Sequence, residues 1–358
     1  MTAIGDPSVV VAIRFHSRNL GCESDSCTRK LAMIFKQTLL SVSALAMLTT
    51  AAAAADMPVK APRVVEQPQQ VSGYVELYGG WARTKLSETE CIGVTCNSFS
   101  TSPNGWALGG AGRATWWWAP NYSIQLDAQG EGTSYKFTGG NNFQRVSAHS
   151  YLIGGHANWR DPSRGLIGVF GGAGDATNVM NLSSVRNGLI GGEAQVYWGP
   201  VTLYGQAGYS STLGSISSFG VDSIQAWFAR GTARFYVNPN FRLEGTVLYA
   251  DGDVDFTVNP FNATTDFQTW LWRAKAEHKF ASAPFSAFLT YEGSQSKIHA
   301  TAVFGFADQK ITDHRVLAGI RLYLNENTLQ WNDRNGTTLD IISPFSVPSF
   351  LIPAGGAG

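Results

Sequence analysis

Apolar and polar residues alternate singly along most of this chain, from Val71 to Leu324. Between 122 and 131, Tyr122, Ile124, Leu126, Ala128 and Gly130 fall on one face, and Ser123, Gln125, Asp127, Gln129 and Glu131 on the other. Residues 241–249 and 270–277 repeat the pattern. A period of two is that of a β-strand. Strands of soluble sandwiches run to about five or six residues, whereas these run to about nine or ten, the length a tilted strand needs to cross a bilayer. The apolar face must then meet lipid, because packing the other face into a dry core would strand many unpaired charges.

Read this way, the chain predicts an all-β fold, a transmembrane antiparallel up-and-down β-barrel of about 12 strands, at 73–84, 105–118, 122–133, 146–160, 166–173, 186–198, 201–210, 223–237, 241–250, 266–280, 285–294 and 314–324. Short turns carry Pro120, Pro162, Pro200, Pro239 and Pro284, and alternate with longer loops, of which 86–104 and 295–313 are the longest. Five tight turns on one side and six loops on the other suit twelve strands, and an even count closes the barrel without edges that lipid cannot satisfy. Trp116, Trp118, Tyr122, Trp159, Trp198, Phe235, Phe241, Phe280 and Phe285 flank the proline turns and predict an aromatic ring at the periplasmic interface. A spacing near 40 residues also raises a β-propeller, but a blade needs four short strands where this chain has room for two long ones.

The ends differ from the barrel. Residues 33–55 read as a signal peptide, with Lys36 before an apolar run and alanines at its close, and 1–32 read as an overlong start. Residues 56–70, rich in Pro and Gln, read as a disordered periplasmic lead-in. Five basic and three acidic residues leave with 1–55, so the remainder stays near neutral and offers nothing to nucleic acid. Cys91 and Cys96 survive that cut, and an isolated pair in an exported loop predicts a disulfide rather than a metal site. The Pro-rich tail, 325–358, breaks the alternation and is read as a periplasmic extension, with a segment folded into the lumen as the alternative.

The run Ala53-Ala54-Ala55-Asp56-Met57-Pro58-Val59-Lys60-Ala61-Pro62, followed by this strand and turn grammar over 71–324, resembles the α-proteobacterial outer-membrane β-barrels of the porin family. The resemblance implies a cell outer membrane location, neighbouring lipid and lipopolysaccharide, and insertion by the barrel-assembly machinery; it carries no substrate. Family barrels end on an aromatic residue, whereas Leu317-Ala-Gly319-Ile-Arg-Leu322-Tyr-Leu324 ends in Leu and lies 34 residues before the terminus.

The inward set is Glu76, Arg113, Asp127, Glu131, His156, Arg160, Glu193, Arg230, Arg234, Arg242, Glu244, Arg273, Lys275, Glu277, Glu292 and Arg321. These predict a pore lining for passive diffusion of small polar or anionic solutes, with Arg230 and Arg234 biasing it toward anions. The alternative is a plugged structural or adhesin barrel that acts through its extracellular loops, since twelve strands fall between filled and open barrels. Ser147 and His149, two apart on one face, raise an outer-membrane hydrolase, but no nucleophile elbow, metal-binding His pair or phosphate loop accompanies them. The sequence therefore points away from an enzyme, and no cofactor is expected.

Overall fold

The computed structural model describes residues 71–342, apart from short breaks at 93–94, 140–141, 180–181, 215–220, 259–260, 282, 303–304 and 325–326. The start, signal and lead-in segments, and residues 343–358, lie outside the described residues.

Thirteen strands follow in order: β1 (Val71–Ile92), β2 (Thr95–Thr101), β3 (Asn104–Ala119), β4 (Tyr122–Gly139), β5 (Asn142–Asp161), β6 (Gly165–Val179), β7 (Leu182–Trp198), β8 (Val201–Thr212), β9 (Val221–Asn238), β10 (Phe241–Val258), β11 (Phe261–Lys279), β12 (Phe285–Ala302) and β13 (Gly305–Tyr323). From β3 onward each strand pairs antiparallel with the next, β2 and β3 both pair with β1, and β13 returns to β1, with Tyr74 opposite Tyr323 and Leu86 opposite Ile311. The sheet is thus a closed barrel. β2 and β3 share one position in the wall, because β1 pairs β3 over Val71–Arg83 and β2 over Leu86–Ile92. Pro103 separates them; its carbonyl still accepts from the Thr84 N–H at 3.0 Å. The circumference is therefore twelve strands with one strand split by a proline that has no N–H to continue the ladder.

The five proline turns are short and lie at one end of the barrel. In the turn after β7, Gly199 takes φ +54°, a left-handed conformation that side-chain-bearing residues rarely adopt. The segments 86–104 and 295–313 are not the long loops that their composition predicts. β1 and β2 occupy most of the first, and β12 and β13 most of the second. The ladder continues beyond the lipid, where outward residues such as Lys297 and His299 are polar, so the apolar alternation fades while the pairing does not. Cys91 and Cys96 sit opposite each other on β1 and β2 and are joined by a disulfide, which staples this hairpin rather than a free loop. Mass spectrometry of non-reduced peptides is expected to recover them as one linked species; two free thiols would contradict the assignment.

The outward face carries the apolar residues, with Leu126 64% and Ile153 62% exposed. The aromatics beside the proline turns point outward, among them Trp118, Tyr122, Trp198 and Phe285. A second outward ring, which the alternation alone does not announce, comprises Trp81, Trp106, Tyr151, Tyr209, Trp227, Trp270 and Tyr291. Trp159 and Tyr151 on β5, like Phe235 and Trp227 on β9, are eight residues apart. At about 3.3 Å per residue and a tilt near 40°, that is an apolar band of about 20 Å, bounded above and below by rings suited to an interface.

After β13 the chain turns back into the barrel. A short helix, α1 (Leu329–Asn335), is capped by Thr328, whose hydroxyl accepts from the Trp331 N–H at 3.1 Å. It lies against the proline turns: Gln330 N–H donates to the Pro239 carbonyl at 3.0 Å, and the Gln330 side chain to the Gly199 carbonyl at 3.2 Å. Residues 336–342 then run inside the lumen. The reading of the tail as a periplasmic extension is corrected for 327–342, which the barrel encloses. Fit is close: a Cβ at Gly154 would stand 2.2 Å from the Ile341 Cδ1.

Candidate functional site

The inner face of the barrel has two halves. Near the proline turns it is charged. On β9, moving away from the turn, Arg234 and Arg230 give way to Phe228, Ala226 and Ile224 on the same face. β10 changes likewise from Arg242 and Glu244 to Leu248 and Val254. The far half holds an apolar cluster of Leu152, Phe170, Leu189, Phe228, Leu248, Phe267 and Leu271, completed by Ile341 and Ile342 of the tail. The charged half carries the polar side chains that the alternation places inside, and this half does not: Phe228 and Leu248 face inward beside outward Trp227 and Val247, and there the period cannot distinguish the faces.

All sixteen residues of the predicted lining are buried or half-buried on the inner face. Twelve of them are joined in three groups, and Arg160, Arg230, Arg234 and Glu244 belong to the contacts around the tail. In the first, Arg321 on β13 bonds Glu76 on β1 at 2.6 Å and Glu277 on β11 at 3.1 Å, across the seam where the barrel closes. Arg242 adds a 2.6 Å contact to Glu277, and Lys275 lies 3.9 Å from Glu76. In the second, His156 stands between Asp127 at 3.2 Å and Glu193 at 2.8 Å, with Arg113 3.6 Å from Asp127. In the third, Arg315 bridges Glu131 and Glu292, and Arg273 donates to Glu292 at 2.6 Å. Arg315 and Asp313 escape the sequence-derived set although they share the parity of Arg321; that parity was the available signal.

The tail takes its partners from around the wall. Trp117 Nε1 donates to the Asn335 carbonyl at 2.9 Å, and Arg160 donates to that of Gly336. The Gln125 amide donates to the Leu339 carbonyl at 2.8 Å while its oxygen accepts from the N–H groups of Thr338 and Leu339, each at 3.2 Å. Thr337 donates to the Ser72 carbonyl at 3.1 Å, and Thr202 to Asp333 at 2.6 Å. Arg234 is shared between Glu244 at 3.0 Å and Asp333 at 2.6 Å, and Arg230 is held by Asp340. The two arginines expected to bias a pore toward anions are thus committed to carboxylates, two of which belong to the tail.

Burial by itself would raise the Asp340 carboxyl, but Arg230, Arg113 and Arg234 outweigh it and hold this group well below the usual carboxylate range. Asp333 is lowered too, its burial being outweighed by Arg234 and Arg242 and by bonds from Thr202 and Thr338. A depressed carboxyl contributes in full above its ordinary value, 3.8 for Asp, and loses that contribution only as the pH falls through the lowered one. The tail therefore stays latched at neutral and mildly acidic pH. Beside it remains a cavity of about 140 Å³, lined among others by Glu76, Arg113, Arg273, Lys275, Glu292 and Asp340. This is well under the roughly 300–1,000 Å³ of ordinary ligand pockets.

Ser147 and His149 both lie on the outer face of β5. The Ser147 hydroxyl meets that of Ser134 at 3.5 Å, and the backbone N–H of His149 donates to Thr177 at 3.0 Å.

No protein-family model and no curated protein sequence matches the chain. Among solved structures it is similar to an outer membrane channel from Pseudomonas putida F1, at 9% identity and a TM-score of 0.45 over 71% of this chain and 98% of that one. It is also similar to the P. putida toluene transporter TodX, at 8% identity and a TM-score of 0.38 over 72% and 91%. A third likeness is to the translocator domain of the autotransporter NalP from Neisseria meningitidis, at 10% identity and a TM-score of 0.39 over 70% and 88%. At these scores the likeness carries nothing about cargo or mechanism.

Proposed function

We propose that this chain is a Gram-negative outer-membrane barrel that serves as a channel for small polar or anionic solutes and is held shut by its own C-terminal segment. The location is supported by the apolar band between two aromatic rings, which needs lipid around it; lipopolysaccharide would cover its outer-leaflet half and the barrel-assembly machinery would insert it. Kinship with α-proteobacterial barrels rests on residues 53–62, which lie outside the described residues, together with the strand and turn grammar over 71–324. The observation that carries the channel reading is the stopper itself. Residues 327–342 are tied to the wall by side-chain bonds and a main-chain bond, from Gln330 to Pro239, rather than by a strand ladder, so they can leave without opening the barrel.

The test is planar-bilayer recording of the refolded full chain against a chain ended after Leu324, each checked for a heat-modifiable folded band on gels. The full chain is expected to be mostly closed and the shortened one to show discrete, stable conductance steps. A folded shortened barrel that stays silent would overturn the channel reading. It would favour instead a structural or adhesin barrel, a reading supported by strands that run on past the upper aromatic ring into the disulfide-stapled β1–β2 hairpin.

A further inference from the structure

Asp340 is held as a ligand is held. Its carboxylate meets Arg230, and the same Arg230 nitrogen donates to its main-chain carbonyl at 3.2 Å. Gln206 Nε2 donates to that carbonyl at 2.9 Å, and the Tyr204 hydroxyl reaches it at 3.4 Å. Gln206 and Arg230 are directly opposite on β8 and β9, and the Arg230 guanidinium lies 4.9 Å from the centre of the Tyr204 ring. Tyr204, Gln206 and Arg230 are each more than nine-tenths buried. Two further nitrogens of Arg230, Nε and Nη1, find no partner among the described residues. Gln206 Nε2 and the Tyr204 hydroxyl also donate to Glu193 Oε2, at 3.0 and 2.8 Å, and His156 meets the other Glu193 oxygen at 2.8 Å, so two adjacent strands set a paired carboxylate beside a cation with bonding capacity to spare.

What fills the cluster has a simple skeleton. In an aspartyl residue the main-chain carbonyl and the side-chain carboxylate are separated by two carbons, which is the carbon frame of succinic acid. The wall reads both ends of that frame, with Arg230 at the carboxylate and Gln206 at the carbonyl, while the single Tyr204 hydroxyl proton goes to the nearer Glu193. Charge also favours an anion here: Asp340 is the carboxylate paired to Arg230, so its departure leaves a buried guanidinium without a counter-charge.

We infer that Tyr204, Gln206 and Arg230 form a lumenal binding site for short-chain dicarboxylates of succinate length, which the tail occupies with Asp340 as a tethered surrogate, so that such a solute competes with the stopper for its latch. This deepens the channel reading and rests on it for the consequence of displacement, although not for binding. A cavity that Arg113, Arg273 and Asp340 all line adjoins the latch on the tail side.

The experiment is isothermal titration of succinate into three full-length, refolded barrels: native, Asp340→Ala, and Asp340→Ala with Arg230→Gln. A charge-assisted competitor is removed in the second, so succinate is expected to bind it about tenfold or more tightly than the native chain. The third is expected to lose binding, and acetate and glutarate to bind Asp340→Ala more weakly than succinate does. Asp340→Asn, which keeps the shape of the tail residue, serves as a second variant if alanine unseats the tail or prevents folding; it too is expected to bind succinate more tightly than the native chain. Equal affinity in native and variant chains, no saturable binding in either variant, or binding that survives Arg230→Gln would each overturn the site. Outcomes separate cleanly from the channel test: a conducting shortened barrel with no succinate binding removes the site alone, and a silent one with binding removes the channel alone.

Discussion

Replacing Arg321 with methionine is expected to destabilise the folded barrel by about 3–5 kcal/mol, the usual cost of removing one partner from a buried ion pair. Arg321 faces Glu76 in the β1–β13 register and reaches Glu277 two strands further round. Its guanidinium also lies 4.0 Å from the centre of the Tyr74 ring and donates to the Tyr323 hydroxyl at 3.1 Å. Methionine keeps much of the volume and removes every donor. Glu277 would retain Arg242, but Glu76 would be left with Lys275 at 3.9 Å, too long for a hydrogen bond. Urea unfolding in lipid vesicles, followed by the heat-modifiable band shift, measures the loss. Arg164→Met is the control: its side chain is 84% exposed in a turn, and it should stay within about 0.5 kcal/mol. If Arg321→Met were as stable as the native chain, the carboxylates would be bathed in water, and the packed, stoppered lumen would have to be given up.

Leu126→Arg is expected to cost about 2–4 kcal/mol, because Leu126 faces outward within the apolar band and a guanidinium there enters hydrocarbon. The folded yield into vesicles should fall accordingly, and a native yield would contradict the assignment of that face to lipid. Its neighbour is the instructive comparison. Alternation alone says that Gln125, on the wet face, should accept an arginine with little effect. In the folded chain Gln125 is fully buried and holds Thr338 and Leu339 through both ends of its amide. Gln125→Arg should therefore insert normally yet loosen the stopper, raising conductance of the full chain while leaving its folded yield near native.

These two neighbours show where local reading ends. The turn prolines, the interface aromatics and the one-by-one alternation are all short-range signals, legible because a strand presents opposite faces at consecutive residues. They were enough to locate twelve strands and to place sixteen polar side chains on the inside. They failed where the lipid contrast disappears. Polar residues such as Lys297 continue the ladder above the membrane, and at 226–229 both faces are apolar, so the alternation does not announce Phe228 as an inner residue.

Strand direction, face and register follow from pairs of adjacent residues and from turn chemistry, and those were written in the chain. The seat of the tail was not. Residues 327–342 have no period, and their partners lie far off along the backbone: Arg230 is 110 residues from Asp340, Gln125 is 214 from Leu339, and Ser72 is 265 from Thr337. Only closure of the barrel brings those groups round one axis, and only then do Asp333 and Asp340 meet the buried arginines whose charge they offset.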